Sequence, residues 1–505
     1  MNESEITENQ QSQSAIEKVP SSRLRSIFKD MMNGRFYSLF ERIRINNIAF
    51  IIVIAFLTGL YELTSLSILY YQKDHLKLEP QTIQLLMGLV LVPWTIKPVF
   101  GYISDSIIKK IKKTKKVVIV TSLLRILVFV ILTCSKPHTV FFFILLFVFS
   151  LCALFENIVS EYVLVKDTNQ KNNEDDTKTH NQLPIYFGFR AFGSLLGSFF
   201  GGRLIKIKGN QFPYFISSFF PLLSLIAVIL FKEKPIDINR IPRRSVKEEF
   251  KLLKRMLFRK KVILFILIIC LINLTPNFDT LVNFYMIDKL LFTSEDLANF
   301  RAFAKVCFIF GLLLYYFCLK GVNPRRFYVA SNFVLWIFNM SFLFVVLGIV
   351  AKLGMNPKVF CLLTNGAFTF FAELNFMPIL AICCGLCPEN LEATSIALFT
   401  SIMNLSEGLS YYIGSFIMWL TNIHKSDYNQ FWKLIVLQNS YLLIMIIFVA
   451  FIPFPDPSKE RITVEEVGMP NSEIAEEKLK DDEITNEEIT DVELTALGSF
   501  DSTHK

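Results

Sequence analysis

The chain has 505 residues, 52% of them hydrophobic and 19% charged, with a formal net charge of +8 at pH 7. Its apolar residues come in long blocks and not in the one-faced stripes of soluble helices, so length here counts membrane spans and not soluble domains. The basic excess falls in the loops beside those blocks, where membrane topology accounts for it, and this argues against a nucleic-acid partner.

Residues 1–47 are polar and lack the short apolar region and small-residue cleavage site of a secretory signal. Acidic Glu3, Glu5 and Glu8 at the front argue against an organelle transit peptide. A hydrocarbon core about 30 Å thick takes roughly 20 apolar residues as helix. On that measure, spans are predicted at 48–71, 80–104, 117–134, 139–165, 183–205 and 212–231. After a basic loop at 232–260 come spans at 261–288, 297–319, 326–350, 357–382, 389–420 and 430–452. The expected fold is therefore all-α and polytopic, with about twelve helices in two six-helix halves, 48–231 and 261–452. In such folds the halves rock about a site near the bilayer midplane.

Cytoplasmic loops carry the Lys and Arg excess. The N-terminal tail holds 7, the loop after the second span 6, and the stretch 232–261 holds 12, whereas the opposite loops carry one or two each. Both termini are thus expected in the cytoplasm. Residues 453–505 carry 15 acidic and 5 basic side chains, the composition of a disordered acidic tail. Cys383, Cys384 and Cys387 cluster at the end of the tenth span, but no His is near them, so a zinc site is not expected. No nucleophile–His pairing, phosphate-cradling Gly loop or metal-ligand spacing suggests an enzyme, and no pattern specifies a cofactor or an oligomeric state.

Charged residues inside spans cost at least a few kcal/mol, so they usually face the bundle interior and mark a pathway. In the first half these are Glu62, Lys97, Arg125, Glu156, Glu161 and Arg190; in the second, Asp279, Arg301, Lys305, Glu373, Glu392 and Glu407. Arg125 lies about 12 Å of helix from the cytoplasmic lysines, and Arg190 is similarly deep, too far to reach the interface easily. Lys97 stands between Pro93-Trp94 and Pro98, where helical hydrogen bonding is broken. These three cations are candidates for holding an anion. Asp279 and Asn283 share a helix face after Pro276, as do Asn404, Glu407 and Tyr411. Carboxylates at low dielectric can carry protons, which makes proton coupling an expectation; each acid could equally be paired with one of the cations.

Short motifs carry a family resemblance. Gly101-Tyr-Ile-Ser-Asp105, followed by Lys109, Lys110, Lys112 and Lys113, resembles the Gly-x-x-x-Asp plus basic signature of the major facilitator superfamily. There Gly101 would let helices approach and Asp105 would serve the cytoplasmic gate. Tyr70-Tyr71-Gln72-Lys73-Asp74-His75, Pro93-Trp94-Thr95-Ile96-Lys97-Pro98 and Cys387-Pro388-Glu389-Asn390-Leu391-Glu392-Ala393-Thr394 resemble the folate-biopterin transporter family. Asp279 with Asn283-Phe284-Tyr285, and the glycines from Gly188 to Gly202, are similar to its seventh and fifth spans. Arg301 and Lys305, and Glu156-Asn157, depart from its pattern.

The resemblance covers about 48–452 and implies alternating-access transport of folates, pterins or p-aminobenzoate. A folate carries a dianionic tail that Lys97, Arg125 or Arg190 could hold, and a pterin edge whose N–H groups suit Glu62, Glu156, Asp279 or Glu407. Asn283 and Asn404 complete the candidate set. The alternatives are a facilitator carrier of another organic anion or amino acid, and a non-transporting receptor. Lys-, Asn-, Ile- and Phe-rich usage together with the resemblance suggests an apicomplexan source, and hence the plasma membrane, with a plastid envelope as the alternative.

Overall fold

A computed structural model of the chain describes residues 45–97, 114–169, 183–230, 251, 254–319, 322–386, 392–423 and 428–452. The tails and most of the basic loop lie outside these residues, as do Pro98, Gly101, Asp105 and Cys387. The side chains of Glu161 and Glu392 are likewise outside the description.

Over its described residues, each predicted span is helical, some with breaks. Helix α1 runs Ile45–Leu60, tightens to a 3-10 turn over Tyr61–Thr64, resumes at Ser65–Tyr70 and ends in a π turn, Tyr71–His75. Then come α2 (Pro80–Thr95), α3 (Thr114–Cys134), α4 (Thr139–Asn169), α5 (Leu183–Lys208) and the two pieces of α6 (Phe212–Ser217 and Phe219–Leu230). Helix α7 is broken into Lys260–Asn273 and Asp279–Asp288. Helix α8 is Ser294–Leu314 with a π turn at Tyr315–Leu319, and α9 is Pro324–Val346. The series ends with α10 (Pro357–Leu386), α11 (Glu392–Leu420) and α12 (Phe431–Phe451). Among the described residues there is no strand.

The helices are inside-out relative to those of soluble proteins. On α3, Val120, Leu123, Leu127 and Val130 are exposed, whereas Ser122, Arg125, Val128 and Phe129 on the opposite face are buried. Lipid takes the apolar stripe, and the polar groups turn inward because only other protein can satisfy them. Eight helices, all but α2, α5, α7 and α11, are long and apolar enough over their described residues to cross a membrane. The other four include both members of one of the two main contacts between halves, α2 with α11, and one member of the other, α5 with α8. A helix that faces protein along much of its length needs less apolarity than one that faces lipid.

The two halves meet most tightly at the end where α1 finishes and α8 begins. One continuous apolar cluster there takes Leu66, Leu69 and Ile83 from the first half and Phe278, Leu281, Phe284 and Leu297 from the second. Lys73 pairs with Asp288 at 2.6 Å, and the Tyr428 hydroxyl donates to the same carboxylate at 2.7 Å. Lys206 pairs with Glu295 at 2.6 Å, and Arg203 donates to Asn299 at 2.9 Å. At Gly202 of α5 a β-carbon would overlap the Ser294 carbonyl oxygen, so glycine is what allows α5 and α8 to touch here. This Lys73 end of the bundle is closed.

Candidate substrate-binding site

The break in α7 builds the centre of the site. Pro276 has no N–H to offer the helix, and the peptide groups freed around it are satisfied by neighbouring helices. The Asn277 N–H donates to the Ser410 carbonyl on α11 at 3.2 Å, and the Gln84 side chain on α2 donates to the Asn277 carbonyl. Gly414 on α11 leaves room for that carbonyl, since any β-carbon there would collide with it. The Asn277 side chain accepts from the Asp279 N–H at 2.8 Å and donates to the Asp279 carboxylate at 3.0 Å. Asp279 therefore begins the second piece of α7 in a fixed orientation, at the positive end of the helix dipole.

A cavity of about 510 Å³ opens beside this break. Asp279 and Glu407 supply its carboxylates, and Asn273, Asn339, Asn365 and Gln438 supply amides. Phe278, Phe338, Phe342 and Phe368 supply ring faces, and Tyr328 adds a phenol. Asn332 and Ser331 of α9 both donate to the Asn375 side-chain oxygen of α10, at 3.1 and 2.8 Å, which holds that wall in register. Acids and amides on an aromatic frame suit a flat heterocycle with several N–H donors.

A second cavity, of about 380 Å³, lies between the halves. Helix α1 contributes Thr58 and Glu62, α5 contributes Arg190 and Ser194, α8 contributes Lys305 and Phe308, and α10 contributes Glu373 and Met377. Phe376 lines both cavities, so they adjoin. Arg301 ties this region to α1: its guanidinium donates to the Ser65 hydroxyl at 2.6 Å and lies 3.9 Å from the Glu62 carboxylate. The same cation interacts electrostatically with Asp279.

Of the residues singled out in the sequence, Glu62, Arg190, Asp279 and Glu407 lie on cavity walls. Asn283 is turned back onto its own helix, donating to the Asp279 carbonyl at 2.7 Å. Asn404 donates to the Trp94 carbonyl at 3.4 Å, a contact between halves. Lys97 is buried, with 3% of its surface exposed, and lines neither cavity.

Arg125 and Glu156 require a correction. They pair with each other between α3 and α4, at 0% and 2% side-chain exposure, and neither lines either of the two cavities. The Arg125 guanidinium lies 4.7 Å from the Tyr61 ring centre and 5.2 Å from that of Phe149, two rings that meet edge to face. Depth in the membrane was a sound reason to expect a partner for Arg125, but that partner is internal. Of Arg301 and Lys305, which stand out in the sequence as charges within a span and as departures from a family pattern, Lys305 lines the smaller cavity and Arg301 contacts Glu62, another of its wall residues. Their spacing of four on α8 is the signal that puts both on one helix face.

The described residues form twelve helices in two halves, with one cavity within the second half and a smaller one where the halves meet, the architecture of the major facilitator fold. The crystal structure of a D-xylose–proton symporter superposes with a TM-score of 0.62 at 11% sequence identity, covering 83% of this chain and 98% of that one. The sequence profile of the BT1 family matches residues 58–472, and the chain belongs to that family. Folate transporter 2 of Plasmodium falciparum (isolate 3D7) is 24% identical over 395 residues, 78% of this chain and 85% of its own. The folate-biopterin transporter of a Synechocystis strain is 24% identical over 417 residues, 82% of this chain and 83% of its own.

Proposed function

We propose that the protein carries folates, pterins or p-aminobenzoate-like anions across a membrane by alternating access, with protons as the coupling ion. The observation that carries this reading is the pairing of two adjoining cavities, only one of which holds cations. The first has carboxylates and amides on an aromatic frame; the second adds Arg190 and Lys305 beside Glu62 and Glu373. A pterin edge offers N–H groups to Asp279 and Glu407, and the aromatic middle of a folate passes Phe376. The names of its relatives supply the substrate class. Loops rich in Lys and Arg assign both termini to the cytoplasm, which puts the closed Lys73 end on the outer face of a plasma membrane.

Purified protein in proteoliposomes, given radiolabelled folate, biopterin or p-aminobenzoate with and without an inward proton gradient, tests the reading. Saturable uptake of at least one, accelerated by the gradient, is expected. Uptake of none would overturn the substrate class, and uptake indifferent to the gradient would overturn the coupling.

A further inference from the structure

The smaller cavity contains two cations without ion-pair partners. Among the described residues, Arg190 and Lys305 take part in no salt bridge within 4.0 Å, and neither has another contact outstanding. They come from opposite halves, Arg190 from α5 and Lys305 from α8, and they face the same space. Arg301, one turn from Lys305, has its own acid in Glu62 and its own acceptor in Ser65. It holds Glu62 and leaves the other two cations uncompensated.

The remaining acid on these walls is Glu373 of α10, 4% exposed, whose Oε1 has no hydrogen-bond partner. Glu373 and Lys305 line the same cavity without making an ion-pair contact. Helix α10 packs directly on α8 at Gly311, where a β-carbon would stand 2.8 Å from the Phe370 carbonyl oxygen and 3.2 Å from the Glu373 β-carbon.

From this arrangement we infer that Arg190 and Lys305 form a carboxylate-binding subsite split across the two halves, with Glu373 on the same wall as the internal acid that competes with a substrate carboxylate for Lys305. A cation held near a membrane midplane needs a counter-charge, and an ill-satisfied internal acid is a counter-charge that gives way. A substrate carboxylate gains charge-assisted hydrogen bonds from both halves at once, which binds the halves together around it. This inference rests on the proposed substrate class, because folates and p-aminobenzoate carry the carboxylate and biopterin does not.

The test is equilibrium binding of folate, p-aminobenzoate and biopterin to the full-length protein in detergent. Arg190→Gln and Lys305→Gln are each expected to weaken folate and p-aminobenzoate by about tenfold or more and to leave biopterin within about twofold. Lys305→Arg keeps the charge and should restore most of the binding. Glu373→Gln removes the internal competitor and is expected to tighten the two carboxylates by about threefold or more, with biopterin unmoved.

Equal losses for all three ligands in the cation variants, or weaker carboxylate binding in Glu373→Gln, would overturn the subsite while leaving the substrate class standing. If the wild type bound neither folate nor biopterin, the substrate class would fall. Binding of p-aminobenzoate or glutarate that vanished in Lys305→Gln would then still establish the anion subsite, and no carboxylate binding at all would remove both.

Discussion

Replacing Glu156 by Leu leaves the Arg125 guanidinium in the interior of the first half without its carboxylate, beside the rings of Tyr61 and Phe149. Removing one member of a buried pair typically costs about 3–5 kcal/mol, since the survivor keeps its desolvation penalty and loses the attraction that offset it. Cation–π contact with Tyr61 and Phe149 returns about 1–2 kcal/mol at most. A net loss of about 1–4 kcal/mol remains, a factor of about 5 to 1,000 in the folded-to-unfolded ratio. Arg125→Met is expected to cost less, because an orphaned carboxylate can take up a proton whereas a guanidinium stays charged. The double variant Arg125→Met/Glu156→Leu should recover most of the loss, since a well-packed apolar pair is often as stable as the ion pair it replaces. Thermal unfolding of the four proteins in detergent gives the cycle, and uptake of folate and neutral pterin by the surviving folded fraction gives the control. Both uptakes should fall together. A stable Arg125→Met that lost folate uptake selectively would refute the structural role and return Arg125 to the substrate.

The Lys73–Asp288–Tyr428 contact should act as a latch on the closed end. Asp288→Asn removes a charge-assisted bond worth about 1.5–3 kcal/mol, so the population open at that end should rise by about 10- to 150-fold, readable as labelling of a cysteine placed at Ser67. Gly202→Val should hold α5 away from Ser294, blocking closure at that end and abolishing uptake while leaving binding measurable. Gly414→Val should push the Asn277 carbonyl from its seat at a cost of about 1–3 kcal/mol and loosen binding at the larger cavity, as a titration of biopterin would report. Asp279→Asn and Glu407→Gln are each expected to weaken biopterin by about tenfold and p-aminobenzoate little, because a neutral amide replaces the charged acceptor for the pterin N–H groups.

Comparing α3 with α7 shows how far one-dimensional information goes. Hydropathy suffices for α3 as a span, because the bilayer acts on every residue by the same rule and asks only for length and apolarity. It also suffices for Pro276 as an interruption, since a missing N–H is a property of one residue. The charges buried in the spans were equally visible, as energetic anomalies that demand an explanation. The family motifs added the expectation of a substrate class.

What hydropathy and spacing do not contain is which charge meets which. Arg125 and Arg190 look alike in sequence, both deep and both basic. Only the crossing of α3 with α4 hands Glu156 to Arg125, and only the meeting of α5 with α8 sets Arg190 across from Lys305. Coulomb attraction and desolvation depend on distance in space, so a residue's membrane depth tells that it must have a partner and not what the partner is. The sequence by itself determined a twelve-helix membrane carrier with charges in its interior. The tertiary structure decided which of them are spent on holding helices together and which are left facing the cavities.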